Sequence, residues 1–267
     1  MLNQVALKDL YKKLITEPNQ TYDRIICHIY SHLLEPGDIA VDVGANTGLH
    51  TVPMARKVVP HGRILAFEPV PENLQQLKKR LKNQQLLSNV SLYGVALSNF
   101  TGKADFRVFM NSPGLSCFKE RENYDKAGME VRKVQVDQLD NRVPGEMRVK
   151  FLKIDVEGAD LNVMQGGTAI IKRDRPVIVL ESGRIKAVPA GLYNYSQEEF
   201  LGFFADLGYV LYDPLGLPFY PGLWDVPTLN DFVAVPEERR EEIVELIWFS
   251  ALEVLSEKFG ELPESAE

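Results

Sequence analysis

The chain has 267 residues, 45% hydrophobic and 25% charged, a composition that excludes disordered and fibrous classes. Thirty basic against 37 acidic side chains give a net charge of −7, which argues against a nucleic-acid binder. No run approaches the roughly 20 apolar residues of a membrane span. The opening MLNQVALKDLYKKL lacks the apolar block of a secretory signal, and Cys27 and Cys117 are too few for a disulfide framework, so a soluble, cytoplasmic protein is expected.

Ile25, Ile26, Ile29 and Leu33 recur at helical spacing within residues 21–34, and Pro36-Gly37 stops that helix. Residues 1–37 therefore read as a helical lead-in to a main domain over 38–267. Ile39–Val43 has strand character, followed by a glycine turn and a helix near 47–58. Arg63–Phe67 is a second strand, Pro71–Gln85 a helix with proline in its first turn, and Val90–Leu97 a third strand. ADFRVFM and VRKVQV alternate apolar and polar residues, so an insert at about 101–136 is expected as a β-hairpin. The polar, turn-rich stretch between its strands reads as a loop or lid.

Val149–Val156 is then a strand, Ala159–Lys172 a helix and Pro176–Leu180 another strand. Ser196 and Glu199 have capping-box spacing at the head of a helix over Ser196–Leu207. Strands at Tyr209–Tyr212 and Phe232–Val235 precede a final helix over about 237–259. That helix carries a broad apolar band, expected to pack on the sheet and possible in part as a homodimer contact. Strands apolar on both faces, alternating with helices, predict an α/β fold with a mostly parallel sheet covered on both sides.

In such sheets ligands bind beyond the carboxyl ends of the strands. The turn Asp42-Val43-Gly44-Ala45-Asn46-Thr47-Gly48 follows the first strand directly, but Asn46 replaces the second glycine of a dinucleotide fingerprint, which disfavours NAD. Asp42 is read as lying inside the turn, where it can tie down the loop or receive an ammonium group. Amide hydrogens at the start of the next helix suit a carboxylate. Glu68, closing the second strand, can accept hydrogen bonds from both ribose hydroxyls, and Pro69 stiffens the turn beyond it. An adenosine joined to a methionine-like zwitterion fits this set, which points to S-adenosylmethionine (SAM).

DVGANTG, AFEPVPENLQQLKKRL, GVALSN with Thr101-Gly102, and VKFLKIDVEGADLNVMQGG together resemble the FkbM family of class I methyltransferases, from Asp38 to Gly183. The resemblance implies a Rossmann-like seven-stranded sheet with its last strand antiparallel, SAM as methyl donor, and a hydroxyl acceptor on a sugar or secondary metabolite. It places Gly44, Asn46 and Gly48 on the methionine side, Glu68 at the ribose, and Val95-Ala96 beside adenine.

A hydroxyl needs a base to become nucleophilic. Strand alternation predicts Lys153, Asp155 and Glu157 on one side of the strand, opposite Leu152, Ile154 and Val156. Charges at the exit of a central parallel strand suit a site, with Asp155 the first choice of base; the alternative is that Lys153 and Asp155 merely pair and fix the strand end. Glu181 should reach the same rim. Asp155, Glu157 and Glu181 could hold a divalent metal, which is not expected because no His joins them. His50 is an alternative base or a packing histidine. His28 and His32 have metal-capable i, i+4 spacing, but with no third ligand nearby they read as an ordinary helix face. Phe219, Tyr220 and Trp224 read equally as a substrate wall or a cap over the core. The resulting expectation is an O-methyltransferase acting on a small-molecule or glycan substrate. Its rivals are methylation of an amine or protein side chain, and a non-catalytic SAM- or nucleotide-binding module.

Overall fold

A computed structural model describes residues 18–109, 116–118, 128–181, 195–224 and 231–259 of the chain. The lead-in is helix α1 (Pro18–Leu33), followed by β1 (Ile39–Val43), α2 (Thr51–Val58), β2 (Arg63–Phe67), α3 (Pro71–Asn83) and β3 (Val90–Tyr93). Next come β4 (Ala96–Leu97), β5 (Gly102–Phe109), β6 (Met129–Asp137), β7 (Val149–Ile154), α4 (Asp160–Gln165), α5 (Thr168–Asp174) and β8 (Val177–Glu181). The described chain finishes with α6 (Gln197–Asp206), β9 (Tyr209–Tyr212), β10 (Asp231–Pro236) and α7 (Arg240–Phe259). Among the described residues no helix is long and apolar enough to cross a membrane.

The main sheet has seven strands in the order β3-β2-β1-β7-β8-β10-β9, parallel except for β10, which runs antiparallel to both neighbours. This is the expected Rossmann-like sheet with its last strand reversed. The strand residues alternate between two cores. Ala40, Ile64, Phe151, Val179 and Val233 pack with α1, α2, α3 and α7 on one face. Val41, Leu65, Leu152, Ile178 and Phe232 pack with α4, α5 and α6 on the other.

Two expectations are corrected, and the hairpin insert forms as expected. The third strand does not run through to Leu97: it breaks at Gly94, and Ala96-Leu97 leaves the main sheet to pair with β6 in a second, three-stranded sheet. The hairpin insert, β5 against β6, completes that second sheet in antiparallel register from Gly102↔Val136 to Phe109↔Met129. The single helix expected over Ala159–Lys172 is two, split at Gly166-Gly167. A Cβ on Gly166 would lie 2.1 Å from the Ser98 carbonyl oxygen, so the backbone leaving β4 occupies the space a side chain needs. By contrast the capping box forms as expected: Glu199 N–H donates to Ser196 Oγ (3.1 Å) and Ser196 N–H to Glu199 Oε2 (2.6 Å).

The final helix splits its apolar band. Ile243, Ile247, Ala251, Val254 and Leu255 are buried against the sheet and α1, while Trp248, Phe249 and Leu252 are exposed.

Two glycine substitutions should act in opposite directions. Gly166→Ala should lower unfolding free energy by about 2–3 kcal/mol through overpacking. Gly202→Ala, inside α6 with no atom within 4 Å of the added Cβ, should raise it by roughly 0.5–1 kcal/mol. Urea unfolding of both variants checks the pair, and equal effects would contradict the split-helix packing.

Candidate functional site

Sheet order reverses between β1 and β7: the chain builds toward β2 and β3 on one side and toward β8 on the other, and this switch point is where a crevice opens. A cleft of about 550 Å³, partly open to solvent, lies there. Val43 and Phe67 line its inner part. Gly44 and Asn46 come from the turn after β1, Glu68 and Pro69 from the end of β2, and Val95, Ala96 and Leu97 from the chain crossing to the second sheet. Phe106, Ser116 and Phe118 of the insert line it as well, and Asp155, Val156 and Glu157 come from the exit of β7.

The turn depends most strictly on glycine where it meets β7. Gly44 has φ +80°, and a Cβ there would sit 1.8 Å from the Asp155 carbonyl oxygen. Gly44 and Ala45 N–H groups both donate to the Phe67 carbonyl at 3.0 Å. Ala45 is buried in the core behind the turn and Gly48 packs toward Leu77, so neither lines the cleft although both shape it. Helix α2 begins at Thr51, so 47–50 belong to the turn rather than to the helix. Asp42 is not inside the turn but within β1. It is buried; Thr51 Oγ1 donates to its Oδ2 at 2.5 Å, and its Oδ1 has no hydrogen-bond partner among the described residues.

Glu68 is buried yet well anchored. Its Oε2 accepts from Asn46 N–H (2.9 Å), and its Oε1 from Val70 N–H (2.8 Å) and Asn73 Nδ2 (3.4 Å). Burial outweighs these hydrogen bonds and pushes its pKa up to about 7. Each carboxylate oxygen can accept more than one bond, so the group keeps acceptor capacity toward the cleft.

At the opposite wall, β7 ends at Ile154 and the alternation expected beyond it fails. The chain turns through left-handed residues Glu157 (φ +53°) and Gly158 (φ +97°), so Asp155, Val156 and Glu157 all reach the cleft whatever their parity. Lys153 lies in the strand, nearly buried, and its Nζ donates to Asp155 Oδ2 at 3.1 Å. Sequence reasoning gave no role to Asp160. It is buried and accepts from Val156 N–H (3.4 Å) and Gly158 N–H (3.3 Å), so it holds this turn. Burial, then the nearby Asp155 charge, raises its pKa well above the carboxylate range. Its signal was visible: an acid at the first position of a helix that follows a glycine turn.

Of the four non-glycine residues with left-handed backbone among the described residues, Gln85 and Arg175 follow helix ends, whereas Asn46 and Glu157 both line the cleft. Such conformations cost energy that packing must sustain, and they collect at functional sites.

Beside Lys153, on the sheet face covered by α1, a second polar group gathers. His50 is buried, with Nε2 3.7 Å from Asp23 Oδ1 and Nδ1 3.8 Å from Cys27 Sγ. Burial and Lys153 push its pKa down, but Asp23, Cys27 and Asp42 outweigh them and carry it up to about 9. At neutral pH His50 is therefore a cation and a donor rather than a base. Asp231, opening β10, is held above the carboxylate range by desolvation and by the Asp23 and Asp155 charges. The lead-in helix thus joins the site, a role its sequence did not advertise.

Glu181 ends β8 in register with Asp231, and its side chain lies outside the described residues, as do 110–115 and 119–127 of the expected lid. Phe219 packs on Phe232 (5.0 Å between centroids) and Trp224 on Phe200 (5.5 Å), so these rings cap the core rather than form a substrate wall; Tyr220 is exposed.

Known proteins resemble this chain. Methyltransferase sdnD of Sordaria araneosa is 28% identical over 193 residues, covering 62% of this chain and 70% of that protein. Methyltransferase 1 of Beauveria bassiana is 29% identical over 143 residues, covering 47% of this chain and 57% of that protein. The crystal structure of an FkbM methyltransferase from Methylobacillus flagellatus overlaps 77% of this chain and 47% of its own, at 16% identity and a TM-score of 0.46. The methyltransferase FkbM domain matches residues 42–211, from Asp42 in β1 to Leu211 in β9, and the chain therefore belongs to that family.

Proposed function

We propose that the protein is a SAM-dependent O-methyltransferase acting on a hydroxyl of a sugar or other small metabolite. The observation that carries this reading is the charge and shape of the cleft. Its described lining includes three carboxylates, Glu68, Asp155 and Glu157, and no Lys, Arg or His. Such a lining favours a cationic ligand and disfavours the pyrophosphate of a dinucleotide. The apolar surface from Phe67, Val95, Phe106 and Phe118 suits a flat base, with Phe106 and Phe118 meeting edge to face at 5.1 Å. The unpartnered Oδ1 of Asp42 suits the ammonium of the methionine part. When bound, SAM supplies an electrophilic methyl group on a sulfonium.

In this reading Glu68 accepts from the ribose hydroxyls, and Gly44 lets the backbone approach the methionine end. Asp155 orients the acceptor hydroxyl and takes its proton, while Lys153 holds that carboxylate in place. Glu157 lines the same wall. A cationic His50 with Asp231 would set the polarity of the acceptor side beneath α1. The cleft walls supply the alignment that an in-line displacement requires.

Calorimetry should detect SAM or its demethylated product binding to the purified protein; binding of neither would overturn the reading. The pH dependence follows from Glu68. The ribose hydroxyls need the ionised carboxylate, whose pKa of about 7 in the free protein makes a bound proton compete below that pH. SAM affinity should thus rise with pH through 7 and stand about tenfold lower at pH 6 than on its plateau. Glu68→Gln should weaken binding and flatten that slope.

Asp155→Asn should lower kcat by about 10²–10⁴-fold toward a hydroxyl acceptor while SAM affinity changes only a few-fold. Labelled SAM assayed over an acceptor panel measures this. Undiminished turnover toward amines by the variant would favour N-methylation instead.

A further inference from the structure

The i, i+4 pair His28 and His32 lacks a third ligand in sequence, but the fold supplies one. Glu253, on α7, presents Oε2 to His28 Nδ1 at 2.9 Å and to His32 Nε2 at 2.7 Å. The three potential ligand atoms lie within 4.8 Å of one another. We propose that His28, His32 and Glu253 bind one zinc ion that clips the lead-in helix α1 to the final helix α7.

The chemistry of the donors selects the metal. Two imidazoles and one carboxylate suit zinc, whereas magnesium and calcium prefer all-oxygen sets. Tetrahedral zinc with bonds of roughly 2.0–2.1 Å places its ligands about 3.4 Å apart. The present nitrogen–oxygen separations need to open by only about half an ångström, within reach of side-chain rotation. A water would take the fourth position. Side-chain exposures of 30% for His28, 36% for His32 and 35% for Glu253 leave the group accessible to an ion from solvent.

The scaffold is organised before any metal arrives. Ile25, Ile29 and Leu33 of α1 share one core with Ile247, Ala251 and Val254 of α7. Arg24 pairs with Glu257, and Lys258 donates to Thr21 at 2.9 Å, so contacts between the two helices extend to their far ends. The His32 ring is held edge-on by Phe249 at 5.1 Å. A ligand set fixed by two packed helices loses little freedom on binding.

The clip also bears on the polar group around His50. Asp23 and Cys27 of α1 face His50, and Tyr30 packs edge-on against the same ring at 6.0 Å. Zinc at His28 and His32 would fix the helix that carries them.

The test uses the full chain, freed of any purification tag and stripped with EDTA, titrated with zinc chloride against a chromophoric chelator. One zinc per chain is expected. His32→Gln and Glu253→Gln should each weaken affinity by at least about tenfold, since even outer-shell changes cost that much. Zinc at a hundredfold excess over Kd should raise Tm by about 5 °C in the parent chain and not in the variants. Circular dichroism in EDTA establishes that each variant is folded, with His28→Gln replacing either that is not. Failure to bind zinc, or equal affinity in parent and folded variants, would reduce the triad to a hydrogen-bonded contact and overturn the proposal. SAM enters none of these measurements, so they stand apart from the methyltransfer reading.

Discussion

The structure turns on one close backbone approach. The turn leaving β1 and the turn leaving β7 meet where Gly44 lies against the Asp155 carbonyl, while Asp155 N–H donates to the Val43 carbonyl at 3.0 Å. This contact brings the two strand ends flanking the switch point together without a side chain between them. The turn bearing Asn46 and the turn bearing Glu157 consequently become opposite parts of one cleft, and Lys153, in register with Asp42, sits directly beneath both. Glu68 extends the constraint to β2 by taking Asn46 N–H. Packing on the two sheet faces maintains an arrangement that local backbone preference alone would oppose at Asn46 and Glu157.

Much of this was legible before any coordinates. Alternating apolar runs located all seven strands of the main sheet, because a strand buried on both faces leaves a continuous hydrophobic signature. Ser196 and Glu199 announced a helix start through local hydrogen-bond chemistry, which needs no tertiary knowledge. The misreadings share one cause, namely contacts made by residues distant in sequence. Ala96-Leu97 looks like the tail of β3, yet pairs with β6 some forty residues on. The helix after β7 looks continuous, but Ser98 backbone stands where Gly166 would carry a side chain. Parity placed Lys153 and Asp155 together correctly, but the left-handed turn then removed parity as a guide, which brought Val156 into the cleft.

The candidate site was legible to different depths on its two sides. Gly44, Asn46, Glu68, Val95 and Ala96 all line the cleft, because a turn following a strand is a local feature. The polar group of His50, Asp23 and Asp231 was not, since it draws on α1, the turn before α2, and β10, and exists only once the sheet is covered. Charge follows the same division. The acids of the cleft stand near a patch where Lys153 and the cationic His50 partly neutralise them, so the net charge of −7 conveys little about the field a bound molecule would meet.

The placement of α1 and β10 gives the family match a meaning of its own. The family match spans residues 42–211, which omits α1, α7 and β10. Within the sheet β10 lies between β8 and β9, so cutting at 211 would leave two parallel strands separated by a missing middle one. One face would also lose α1 and α7, two of the four helices that cover Phe151, Val179 and their neighbours. The matched span is therefore shorter than the folded unit, and a chain cut to it would lack the helix that carries Asp23.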